Sequence, residues 1–258
     1  MTADDSRHAS SRSALLPLPD HAVHHVGRNH SRRPGRRQLA VLEGAGLRSD
    51  TDLLEVGCGV GRLVYELADV VTEGTYCGFD VSAEAIAWLN ENYRPVLANF
   101  RFDRVDARNA RYADRGAIDP AKVRFPYEDD AFDLACAFSV FTHMQLPEIE
   151  RYLSELRRVL RPDGRTVVTV FAFGADDSDP WLDDGRPFVP MGDGVWTIEP
   201  ELPERGVGFD RSLIDAVIEG AGLEVVASLE GGWHHRGADR QGAALGQDAL
   251  VLAPTGDG

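Results

Sequence analysis

Lysine is almost missing from this chain. Of its 27 lysine and arginine residues only Lys122 is a lysine, which reads as coding bias rather than mechanism. Positive charge is scarce as well: 42 aspartates and glutamates outweigh those 27, and the formal net charge is −15. That balance argues against general affinity for nucleic-acid backbones or anionic membranes, which needs clustered positive charge. No apolar run approaches the ~18 residues of a membrane span. The polar start, residues 1–20, lacks the apolar stretch of a secretory signal. Cysteine is sparse and odd in number, with Cys58, Cys77 and Cys136 outside any CxxC spacing. This argues against a disulfide framework or a zinc site and for reduced thiols in the cytoplasm. What is present is ordinary for a globular chain: 43% hydrophobic and 27% charged residues over 258 positions, enough for an α/β domain with insertions.

Apolar spacing divides the chain into alternating strands and helices. Residues 1–14 read as disordered, and 1–37 as a flexible arm holding five arginines between 28 and 37. The arm is either solvated or a lid over a ligand. A domain follows over 38–258. Strands are expected at Leu53–Val56, 75–79, 99–105, 133–140 and 166–171, with Leu223–Leu229 and 247–252 closing the chain as an antiparallel pair. Helices are expected over 38–47, over 63–71, after the N-cap Ser82, after Pro147 through Leu160, and around Leu213–Ile218 by number 213–218. Residues 107–126 read as a charged connection, 161–164 as a stop-and-turn. The Asp-, Gly- and Pro-rich stretch 174–209 is too long for a simple connection and reads as a substrate-lid insertion. Strand–helix alternation predicts a doubly wound sheet, with ligands beyond the strand C-termini at the switch point.

The sharpest signal is the run Leu54-Glu55-Val56-Gly57-Cys58-Gly59-Val60-Gly61-Arg62. Glycines at alternate positions between a strand and a helix let the backbone approach a ligand closely. A dinucleotide fingerprint would need Gly or Ala where Arg62 stands. Asp80 and Val81 end the second strand, where a carboxylate can accept from both ribose hydroxyls. Asp106 and Ala107 end the third, where a carboxylate can accept from an adenine amino group and the next N–H can donate to the ring.

With those residues in place, the chain resembles the class I S-adenosylmethionine (SAM)-dependent methyltransferases, and a bacterial small-molecule branch tied to secondary-metabolite or sugar tailoring. The likeness rests on Glu55, Gly57, Gly59 and Gly61, on Asp80 in GFDVS, on Asp106 in RVDA, on 125–144 and on 160–171. It implies an α/β, Rossmann-like doubly wound seven-stranded sheet, mostly parallel with an antiparallel last strand. It further implies that SAM is held by Glu55, Gly57, Cys58, Gly59, Gly61, Arg62, Asp80, Val81, Asp106, Ala107 and Ser139, leaving S-adenosylhomocysteine (SAH) as product. The expected acceptor is a small molecule methylated at a hydroxyl oxygen, with no nucleic acid or membrane partner and a homodimer as the candidate assembly. A protein acceptor stays open, as do a nicotinamide-dependent oxidoreductase and a non-catalytic SAM-binding protein.

His143, just past the fourth strand, is the candidate base, because an unperturbed imidazole suits proton removal near neutral pH. The alternative is that it packs against the cofactor or bonds to backbone. Trp181, Phe188 and Trp196 could wall an acceptor pocket, or simply pack beneath the insertion. His234, with His235, follows Trp233 between the last two strands and offers a second route to the acceptor; His24, His25 and His30 sit in the arm. The acidic run at 176–184 reads as a solvated loop, and no metal site is expected.

Overall fold

The computed structural model describes residues 11–19, 33–174, 177, 185–234 and 245–256. In chain order the first half holds α1 (Arg33–Gly44), β1 (Leu53–Val56), α2 (Arg62–Leu67), β2 (Tyr76–Asp80), α3 (Ala83–Asn92), β3 (Phe100–Arg104) and β4 (Phe132–Ala137). Then come α4 (Leu146–Val159), β5 (Leu160–Val170), β6 (Ala172–Phe173), β7 (Val189–Gly192), β8 (Val195–Thr197), β9 (Val207–Asp210), α5 (Arg211–Gly220), β10 (Leu223–Leu229) and β11 (Asp248–Pro254).

Seven strands form the main sheet in the order β10-β11-β5-β4-β1-β2-β3. All neighbours are parallel except β11, which runs antiparallel to both β5 and β10. Side chains on a strand alternate between faces, and the two faces feed separate cores. Leu54, Val56, Phe79, Ala135, Ala137, Val168 and Leu250 pack with α4 and α5. Leu53, Tyr76, Leu134, Cys136, Val167 and Ala249 pack with α1, α2 and α3. Burial on both faces explains the mostly apolar runs of β1 and β4, each interrupted by one acid, Glu55 and Asp133. The chain winds outward from β1 through β2 to β3, then crosses back to β4. The reversal opens a crevice at the C-terminal ends of β1 and β4.

The helices follow their sequence signals. Ile149, Tyr152, Leu153, Leu156 and Val159 form the buried stripe of α4, and Pro147 stands in its first turn. Ser82 caps α3, its hydroxyl accepting from the Ala85 N–H at 3.2 Å.

Several expectations change. Helix α1 begins at Arg33, inside the supposed arm. Residues 11–14, read as disordered, are docked: a turn at Arg12–Leu15 places Ser13 on Asp69, Arg12 on the Asn99 Oδ1 at 2.8 Å, and Leu16 in the core. Strand β4 stops at Ala137, three residues early, because Ser139 takes a left-handed φ of 56° that ends the extended run. Strand β5 starts at Leu160, yet 161–164 still bulge from the ladder: Phe132 pairs with Leu160 and Leu134 with Arg165. In the described part of the insertion, β7, β8 and most of β9 join β6, just before it, in a second, four-stranded sheet rather than a loop. Phe171, Phe173, Phe188 and Trp233 are its small core.

Candidate active site

At the end of β1 the chain turns beneath β2, with the Gly57 and Cys58 N–H groups donating to the Phe79 carbonyl at 2.8 and 3.1 Å. Gly57 has a φ of 74°, and a Cβ there would lie 2.6 Å from the Val140 Cγ2. No other residue satisfies both the conformation and that approach. The loop closes on Asp80. Its carboxylate accepts from the Gly59 N–H and from the Ser82 N–H, each at 2.8 Å. Those two bonds orient the carboxylate.

A cavity of about 470 Å³ opens over these groups. Glu55, Gly57, Cys58, Gly59 and Arg62 form its wall from the β1 side, Asp80, Val81 and Ala107 from the β2 and β3 side, and Ser139 and His143 from the β4 side. Glu55 is almost fully buried; burial pushes its carboxyl up to about 8, against the pull of the Tyr76 hydroxyl, which donates to it at 2.6 Å. Burial also pushes the Cys58 thiol well up, which keeps it a protonated, unreactive wall group. Burial draws the Arg62 guanidinium down, with Glu55 opposing the shift.

Two expected cofactor residues stand elsewhere. Gly61 is not on the cavity wall; a Cβ there would meet Leu89 at 2.7 Å and Tyr93 at 3.0 Å, so this glycine lets α2 pack on α3. Asp106 is not on the wall either. Its carboxylate takes the Arg104 guanidinium at 2.6 Å, and only the neighbouring Ala107 faces the cavity.

His143 lies in a one-turn helix, Phe141–His143, at the far end of the cavity. Its Nδ1 meets the Glu204 carbonyl at 2.8 Å. A carbonyl only accepts, so Nδ1 carries the proton and Nε2 the lone pair. Among the described residues Nε2 has no hydrogen-bond partner, and it remains reachable by solvent. Burial lowers the imidazole to about 4. The Asn109 amide donates to the His143 carbonyl at 3.1 Å, and the Tyr112 ring meets the imidazole edge-on at 5.7 Å.

The aromatic wall is corrected too. The Trp196 indole donates to Asp210 at 2.7 Å, and its ring packs on Phe173 at 5.5 Å, away from the cavity. Phe188 is buried in the same aromatic core. Trp181 lies outside the described residues, as do His24, His25, His30 and His235. For His234 only the backbone is described, in the short turn Gly232–His234. The sequence reading missed Gln38 of α1, Arg108, Asn109, Arg111, Tyr112, Met144, Glu148 and Tyr152, all on the wall. One signal was available: Asn109 makes a side-chain turn, its Oδ1 accepting from the N–H groups of Arg111 and Tyr112 at 3.1 Å.

Among the described residues no cluster of His, Cys, Asp or Glu could hold a metal ion, and no helix is long and apolar enough to cross a membrane. A family model described as a methyltransferase domain matches residues 53–164. Sterol 4-C-methyltransferase strm-1 of Caenorhabditis elegans is 25% identical over half of this chain and a third of its own length (33%). Methyltransferase GfsG of Streptomyces halstedii is 34% identical over 45% of this chain and 36% of its own. The chain thus spans about a third of the curated relatives it matches. Among solved structures, 1,6-didemethyltoxoflavin-N1-methyltransferase of Burkholderia thailandensis, with bound 1,6-didemethyltoxoflavin and SAH, superposes with a TM-score of 0.50. It is 17% identical and covers 88% of this chain and 80% of its own. The cavity here fits SAM on its own terms: the Gly57 cradle admits no Cβ, and the Asp80 carboxylate is already held by two N–H groups. The matched segment is similar to a methyltransferase domain, and the strand order with the crevice at the ends of β1 and β4 is that of the class I methyltransferase fold.

Proposed function

We propose that the chain methylates a hydroxyl oxygen of a small-molecule acceptor bound at the His143 end of the cavity. SAM supplies, when bound, a methyl group on a positively charged sulfur, already activated for in-line displacement. Glu55, Asp80, Ala107 and Ser139 would hold it, and the protein's main task is then to align the acceptor oxygen. The observation that carries the reading is one cavity containing both the glycine loop with Asp80 and the open Nε2 of His143. Its volume of about 470 Å³ suits small molecules. The sterol in the name of strm-1 and the 1,6-didemethyltoxoflavin bound to the Burkholderia enzyme support an acceptor of that class. The unpaired thiols Cys58, Cys77 and Cys136 support a cytoplasmic setting.

The imidazole titrates near 4 and is neutral across the physiological range, so it takes the acceptor's proton as the bond forms rather than ionising the acceptor beforehand. The test is transfer of labelled methyl to a panel of small hydroxyl compounds. His143→Ala is expected to lower turnover by about 10²-fold with SAH affinity kept. The wild-type rate should be level through neutral pH and fall only toward pH 4, where His143 protonates. Unchanged turnover removes His143 as base; label found on nitrogen or carbon overturns the oxygen assignment.

A further inference from the structure

We propose that Gln247 is a positioning residue of this site: its amide holds the turn after β4 in shape and so sets the cofactor-facing wall at Ser139. The inference rests on the cofactor assignment above.

Ser139 has a φ of 56°, a conformation that a residue with a side chain keeps only where its surroundings enforce it. The enforcing groups come from β5 and from the residue just before β11. The Ser139 N–H donates to the Thr169 Oγ1 at 2.7 Å, and that hydroxyl donates to the Gln247 Oε1 at 2.7 Å. The Ser139 hydroxyl donates to the same Oε1 at 3.0 Å. From its other end the Gln247 amide donates to the Thr142 Oγ1 at 3.3 Å. One side chain thus ties both ends of the 139–142 turn to β5. Thr142 and Thr169 are fully buried, so water cannot replace the amide at either.

Three consequences follow from the turn's shape. Val140 is pressed onto Gly57, at the spot where a Cβ would clash. His143 follows directly on the turn. The Ser139 proton is committed to Gln247, so toward the cavity this hydroxyl offers lone pairs and serves as an acceptor. Gln247 is itself held in place by its neighbour. The buried Asp248 carboxylate takes the Gly231 N–H at 2.8 Å, the Ala172 N–H at 3.1 Å and the Trp233 indole at 2.8 Å.

The experiment measures SAH binding by calorimetry, beside thermal unfolding, on the full chain. Gln247→Ala is expected to weaken SAH by about tenfold and, because it strips the buried Thr142 and Thr169 hydroxyls of a partner, to lower the unfolding temperature by about 5–10 °C while staying folded at the assay temperature. Gln247→Glu keeps the acceptor for Ser139 and Thr169 while losing the donor to Thr142, and should stay within about threefold of wild-type affinity. Adding Ser139→Ala to Gln247→Ala should cost less than about twofold more, because the two act through one contact. The proposal is overturned if Gln247→Ala binds SAH as wild type does, if Gln247→Glu binds as weakly as Gln247→Ala, or if the two alanine effects multiply. A wild-type chain that binds no SAH sinks the cofactor assignment and this inference together; normal wild-type binding with an indifferent Gln247 sinks only the latter.

Discussion

Asp80 and Asp106 carry the same residue type at equivalent strand ends, and the structure treats them differently. Asp80 receives two backbone N–H groups from the loops it joins, so its carboxylate is fixed before any ligand arrives. Asp106 has Arg104 two positions back, on the same side of an extended chain, and pairs with it. That neighbour was visible in the sequence; a carboxylate beside a same-face arginine is already spoken for. Trp196 fails as an acceptor wall for a similar reason, since Asp210 and Phe173 satisfy both its polar and its apolar parts. These differences make Asp80 the residue to test. Asp80→Asn replaces one acceptor oxygen with a donor facing an N–H and removes the charge. It should weaken SAH by about 1.5–3 kcal/mol, roughly 10- to 150-fold in Kd, read by calorimetry. Affinity within about twofold of wild type would show that the ribose is held elsewhere.

Periodicity made the elements legible wherever burial was two-sided or striped. Strand β1 and the stripe of α4 could be read directly because their apolar residues answer to one partner face each. The 107–126 connection and the small second sheet could not. Their positions are fixed by turns and by aromatic side chains packing on one another, neither of which leaves a period. An ion cluster joins α4 to one such segment. Glu155 is buried and accepts from the Phe125 N–H at 2.8 Å and from Arg158 at 2.6 Å; Arg158 also donates to the carbonyls of Tyr127 and Phe125. Burial alone would raise the Glu155 carboxyl, but the Arg158 bonds hold it below the usual range. Removing Arg158 leaves the buried Glu155 carboxylate with the Arg151 guanidinium at 2.9 Å and the Phe125 N–H as its remaining partners. Arg158→Met is expected to cost about 1.5–3 kcal/mol, measured by denaturant unfolding. A loss under about 1 kcal/mol would put the cluster in the class of solvent-screened pairs.

At the scale of the whole molecule, the doubly wound order was readable because apolar periods of strand and helix alternate along the sequence and no helical pattern separates the last two strand runs. The same order puts a buried carboxylate at the sheet's centre, and this sets how stability depends on pH. Glu55 titrates near 8 in the folded chain and near its ordinary value of 4.5 when unfolded. Between those values the folded state holds the extra proton, so stability falls as pH rises through the window, by at most about 1.4 kcal/mol per pH unit. Below 4.5 that contribution is fully present; above 8 it is gone. Burial also acts on Asp52, Asp69 and Glu155, but hydrogen bonds from Thr75, Ser11 and Arg158 respectively outweigh it and hold these carboxyls below their usual range. Their sign is opposite: the stability they confer exists above the unfolded values and disappears as pH drops through the folded ones. The ligand-free protein should therefore melt highest on the acid side of neutrality, with Glu55 responsible for much of the alkaline decline. Glu55→Gln keeps an acceptor for Tyr76 without a charge to bury, and should flatten the melting profile between pH 5 and 8 while leaving the acid limb unchanged. An alkaline limb as steep in the variant as in the wild type would show that Glu55 is ionised at little cost in the folded chain.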